Sequence, residues 1–199
     1  MATSGNNPRG FVPTRTLRGD SNFRTTIYAT LGGNLNQLFK GDLVFLDALG
    51  RPQLVTGVSA GSTAPIGVVA AVYDANKRAK THALPSGHIG ADVSATNFVE
   101  VYDDPDIVFT VQADTSVGPG FIGNYVAVTA NAPSTAAGRS GQIVAIADLT
   151  TSALGHPLQI IGIAPNEMDE LGGANNDIEV VISHHKRRPH PLTPLSPSI

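Results

Sequence analysis

Asp103-Asp104-Pro105-Asp106-Ile107-Val108-Phe109-Thr110-Val111-Gln112-Ala113-Asp114 sets the architecture of this chain. An acidic turn broken by a proline gives way to strict alternation. Ile107, Phe109, Val111 and Ala113 fall on one side, and Val108, Thr110 and Gln112 on the other. Side chains that alternate faces with a period of two belong to a strand with one buried face. After the Gly118-Pro119-Gly120 turn, residues 124–130 (NYVAVTA) alternate again. The two stretches read as neighbouring antiparallel strands around a loop.

Working outward, residues 97–102 (NFVEVY) form a strand leading into the acidic turn, and 65–73 (PIGVVAAVY) run apolar throughout. That continuous run is the pattern of a central strand covered on both sides. Residues 41–47 (GDLVFLD) and 51–58 (RPQLVTGV) flank Ala48-Leu49-Gly50 as a hairpin. Further strands are expected at 25–30, 142–147, 157–165 and 177–184, the last with Ile178, Val180 and Ile182 on one face. Leu31, Leu35, Leu38 and Phe39 have helical spacing, but Gly32-Gly33 limits them to a turn or a single helical coil. Residues 166–173 could make one further helical turn, and 74–89 read as a surface excursion. About ten short strands, with no helix long enough to bridge a parallel pair, predict an all-β antiparallel sandwich or barrel.

The ends differ from this body. Residues 1–24 form a polar arm in which prolines and glycines defeat a regular helix, and 186–199 (KRRPHPLTPLSPSI) form a proline-rich, polyproline-like tail. The domain division is therefore arm 1–24, globular body 25–185 and tail 186–199. Composition alone favours a disordered arm. The alternative is an arm that orders on a partner, with Phe11 as anchor, Val12 and Leu17 as further apolar contacts, and Arg9, Arg15 and Arg18 as salt-bridge donors. On either reading, deleting the arm leaves the body folded.

Composition narrows the function classes. The chain has 199 residues, enough for one core without staples, and no cysteine, so disulfides and thiolate zinc sites are excluded. Charged residues are only 15%, which suits broad uncharged contacts better than electrostatic steering. A net charge of −3 and a pI near 6.0 argue against nucleic-acid binding. No apolar run reaches membrane-spanning length and no secretory signal is evident, so a soluble protein made in a cytoplasm is expected.

Candidate chemistry is sparse. Asp103, Asp104 and Asp106 could pair as acid and base or bind calcium, but Asp and Pro before a strand are ordinary turn formers. His184 and His185 are adjacent on a strand and point to opposite faces, while His82, His88 and His190 lie in a loop and the tail. Gly138-Arg139-Ser140-Gly141 lacks the nucleophile-elbow pattern, and the other glycine pairs lack a phosphate-loop lysine. Lys186-Arg187-Arg188 could touch an acidic partner or merely solubilise the tail. No enzyme, metal or cofactor is expected.

One set of motifs is familiar. Asn7-Pro8-Arg9-Gly10-Phe11-Val12-Pro13 and the Gly19-Asp20 turn are followed by Phe39-Lys40-Gly41-Asp42-Leu43-Val44 and Asp47-Ala48-Leu49-Gly50. Then come Ala64-Pro65-Ile66-Gly67-Val68 and the Asp-Asp-Pro-Asp strand ending in Gln112-Ala113-Asp114. Together these resemble small structural proteins of tailed bacteriophages that decorate or cement the capsid; the basic, proline-rich tail has no counterpart. The resemblance implies a virion protein on the capsid exterior that binds the major capsid protein lattice and stabilises the head. It also implies a homo-oligomer, a trimer favoured, and it favours ordering of the arm on its partner. The alternative is a receptor- or glycan-binding virion protein using Tyr73, Tyr102, Phe121 and Tyr125.

Overall fold

The computed structural model describes residues 8–30, 37–57, 64–79, 88–89, 97–134, 137–151, 156–164 and 175–187. The strands among them are β1 (Val12–Thr16), β2 (Thr25–Thr30), β3 (Leu38–Phe39), β4 (Leu43–Leu46), β5 (Pro52–Leu54), β6 (Pro65–Tyr73) and β7 (His88–Ile89). They continue as β8 (Asn97–Tyr102), β9 (Ile107–Gln112), β10 (Tyr125–Ala130), β11 (Gln142–Thr150), β12 (Leu158–Ile163) and β13 (Asp177–Ile182). Among the described residues one 3-10 turn spans Pro119–Phe121, and no helix is long and apolar enough to cross a membrane. The fold is all-β: two antiparallel sheets packed face to face as a sandwich.

The six-stranded sheet runs β1-β9-β13-β12-β10-β11, and the five-stranded sheet runs β2-β8-β6-β4-β5. A two-stranded pair, β3-β7, completes the set. The core between the large sheets takes Phe11, Ile107, Phe109, Val111, Val126, Ile160, Ile178 and Val180 from one, and Leu43 and Val68 from the other. Alternation sends the neighbours of those last two, Val44 and Val69, into a second cluster with Val99, Val101 and Leu38, and Ile66 joins it where the β4–β6 register shifts. This explains why β6 is apolar along its length: it is the central strand of its sheet and covered on both faces. The β4–β5 hairpin forms as expected, closed by Asp47, whose Oδ1 accepts the N–H groups of Leu49 and Arg51.

Three expectations are corrected. First, β9 and β10 share a sheet but are not neighbours, because β13 and β12 lie between them. Second, β9 has no solvent face: Val108, Thr110 and Gln112 are buried along with the residues between them. Third, the boundary at residue 24 does not follow the fold. β1 pairs antiparallel with β9 and is a strand of the main sheet. Residues 186 and 187 likewise stay attached to the body, since the Lys186 N–H donates to the Pro65 carbonyl (2.9 Å). Residues 1–7 and 188–199, the 31–36 part of the first proposed helical coil, and all of the second (166–173) lie outside the described residues.

The Val108–Thr110–Gln112 face of β9 has two ion pairs beside it. β9 runs between β1 and β13, and two arginines from the leading segment reach β13 carboxylates on its outer side. Arg15 Nη2 donates to Glu179 Oε2 (2.7 Å), and Arg9 Nη2 donates to Asp177 Oδ2 (2.5 Å). Arg15 is paired with Val108, Glu179 with Thr110 and Asp177 with Gln112. The two ion pairs therefore lie beside the Val108–Thr110–Gln112 face of β9, where an arginine stem can cover the side chains it passes.

Candidate partner-binding surface

The leading segment enters the body through contacts that only glycine permits. Gly10 has φ +70°, and a Cβ there would stand 2.4 Å from both the Gly41 carbonyl oxygen and Ser140 Cβ. Gly41 has φ +91°, and its own Cβ would stand 2.8 Å from the Arg9 carbonyl oxygen. Positive φ and the absence of a Cβ thus let three stretches of backbone meet. Hydrogen bonds tie them together: Phe11 N–H to Gly41 O (2.8 Å), Ser140 N–H to Lys40 O (3.0 Å) and Gly41 N–H to Val69 O (2.9 Å). Beneath them, buried Asp42 accepts from the Phe39 N–H (2.7 Å) and from the Ser140 hydroxyl. Burial pushes its carboxyl up to about 7, against the opposing pull of those two donors.

The six residues expected to grip a partner fall into three groups. Phe11 is only 2% exposed and meets Phe109 edge-on, with ring centroids 6.4 Å apart at 88°, so it anchors this chain's own core. Arg9 and Arg15 hold Asp177 and Glu179 within the chain. Val12 (37% exposed), Leu17 (47%) and Arg18 face outward and remain available to a partner. The arm is thus spent largely on the molecule itself, because Phe11 and β1 complete a core and sheet that would otherwise be open at β9.

The junction also assembles something that sequence order conceals. Arg9, Lys40 and Arg139 each immediately precede one of the three packed residues, Gly10, Gly41 and Ser140. Backbone packing therefore brings all three cations around one mouth, a cavity of about 300 Å³ floored by Phe11, Val12, Pro13, Val69 and Tyr102. Lys40 and Arg139 are adjacent across a parallel bridge, and both are exposed. The Arg-Gly and Lys-Gly dipeptides are the sole local signal, and nothing in the sequence indicates that residues 9, 40 and 139 converge.

The other candidates are structural. Asp104 Oδ1 accepts the Asp106 N–H (2.9 Å), the expected turn chemistry. Asp103 is fully buried; its Oδ2 accepts from the Tyr28 hydroxyl (2.9 Å) and pairs with Arg187 (2.7 Å). Burial, followed by that bond to Asp103, pushes the Tyr28 hydroxyl up to about 12. The Lys-Arg start of the tail is therefore docked at Arg187. His184 and His185 lie just beyond β13, in a turn, where His185 Nδ1 accepts the Arg187 N–H (3.0 Å). Among the described residues no cluster of three His, Asp or Glu side chains is placed to hold a metal. Of the aromatics proposed for recognition, Tyr73 donates to Glu100, Tyr102 packs edge-on against Phe23, and Phe121 packs against the core.

No family model matches the chain, and no match was found among curated proteins or solved structures.

Proposed function

We propose that the chain is a non-catalytic decoration or cement protein of a bacteriophage head, binding the major capsid protein lattice from outside and stabilising it. The observation that carries this reading is spatial. The short motifs that resemble phage decoration proteins are scattered over a hundred residues, yet several of them sit where one part of the body is tied to another. Residues 8–13 of the first motif cross Phe39–Val44 at the Gly10–Gly41 contact. The Gly67 of Ala64–Val68 lies against the Tyr102 carbonyl, next to the Asp103–Asp106 turn, where an added Cβ would stand 2.0 Å from that oxygen. Asp114, which ends the last motif, donates its N–H to Val144 O and accepts the Ile146 N–H (both 2.9 Å), joining the end of β9 to β11. Motifs that are degenerate singly are coherent as the tie points of one body.

The body suits a structural role. Its outward residues include uncharged apolar groups at separate points, among them Val12, Leu17, Ile27 and Leu49. Each such contact is weak, but many identical copies on one lattice attach firmly through effective concentration. A homo-oligomer, a trimer favoured, on local symmetry axes of the shell fits this mode. The test is direct imaging of whole particles with and without the chain. Copies of the chain at junctions between shell subunits, and shells that rupture more readily without it, are expected. Absence of the chain from assembled shells would remove the proposal.

A further inference from the structure

We infer that the mouth formed by Arg9, Lys40 and Arg139 is a binding site for an acidic peptide segment of a partner protein. A partner carboxylate would sit among the three cations, and a neighbouring apolar side chain would lie over Val12, Pro13 and Tyr102. Four observations carry this. The three cations spring from a backbone junction that tolerates no Cβ at Gly10 or Gly41, so the positions from which they extend into the cavity are built in. Lys40 and Arg139 have no side-chain partner among the described residues, and Arg9 keeps 46% of its side chain exposed while one nitrogen holds Asp177. Among the described residues no carboxylate lines the cavity. Its volume, about 300 Å³, lies at the bottom of the range for small-molecule pockets and fits one or two side chains better than a cofactor.

Charge decides what kind of anion enters. An arginine fork takes a carboxylate bidentately, and the concave apolar wall strengthens the attraction relative to open surface. A nucleic-acid backbone would need cations repeated along a track. Here the track ends at once, because Asp177 and Glu179 stand just beyond Arg9 and Arg15 and the whole chain carries −3. A single carboxylate flanked by an apolar residue is accommodated, whereas a polyanion meets those acids. Strand addition along β1 is disfavoured as the mode of binding. Pro13 and a register shift between Pro13 and Arg15 blunt that edge, and the Phe11 and Thr16 N–H groups are already used.

The test screens the full chain against arrayed nine-residue peptides that pair Glu or Asp with one apolar residue at every spacing. The best binders are then measured by fluorescence anisotropy beside their Gln or Asn counterparts. Acidic peptides should bind, and either the amide exchange or the double variant Lys40→Gln/Arg139→Gln should weaken binding at least about tenfold. Single-stranded DNA should not compete. Equal binding of amide peptides, unchanged binding by the double variant, or displacement by the polyanion would each overturn the assignment. Should the variant fold poorly, the unaltered protein decides: saturating peptide should protect Lys40, but not Lys77, from amine acetylation, and unprotected Lys40 overturns the site. The inference does not depend on the capsid reading. Peptide binding by a chain absent from shells would keep the site and remove the capsid role, and the reverse result would do the opposite.

Discussion

Phe11 and Leu17 are six residues apart, and both look like stray apolar groups in a polar segment. One is the edge-on partner of Phe109 and the other is half exposed. Phe11→Ala should therefore cost about 3–5 kcal/mol in urea unfolding, the usual result of emptying a core aromatic site. Leu17→Ala should stay within about 0.5 kcal/mol. A loss below about 1 kcal/mol for Phe11→Ala would show that residue 11 is not seated against Phe109. Asp42 makes a different prediction, in pH. Its folded carboxyl titrates near 7, above the ordinary 3.8, so the folded state holds a proton that the unfolded chain has released. This contribution to stability is complete below pH about 4 and is lost as pH rises toward about 7. Denaturant midpoints measured across that window should fall for the natural chain more than for Asp42→Asn. Equal slopes would show that the carboxyl is not held in its protonated form.

The strands themselves were largely readable, and their neighbours were not. The β6 run, the alternation of β8 and the hairpin of β4 and β5 each carry a local signature. Pairing across long loops carries none: the chain after β9 returns to the same sheet, but β13 and β12 occupy the positions between. Thr110 and Gln112 looked solvent-facing because their polarity is a property of the strand alone. Their burial is set by the flanking strands β1 and β13, which come from distant parts of the sequence. The same holds for the basic mouth, whose three members are set by backbone contact and not by spacing. At this scale β1 is the decisive element. Deleting residues 1–16 would expose the edge of β9 and empty the Phe11 site, so the truncated chain should lose its cooperative thermal transition. A truncated chain that melted like the full one would return the segment to the status of a detachable arm.

At the scale of the molecule, both ends of the described chain are fastened to its middle. Arg187, 36% exposed, faces a carboxylate with no exposure at all, so removing it strands a buried charge. Arg187→Ala should destabilise by about 1–3 kcal/mol, less than for a wholly buried pair because water reaches the arginine side. Thermal melts of that variant beside Asp103→Asn/Arg187→Ala test this, and the double variant should recover part of the loss. The fastening also has a consequence in time. Strand β9 is clasped by one neighbour made early in synthesis and another made late, and Arg9 and Asp177 lie 168 residues apart. A nascent polypeptide halted at residue 174 has the first clasp without the second. The β9 amides that face β13 should exchange freely with deuterated water and become protected only after the last strand emerges, which makes completion of this sheet a late, slow event.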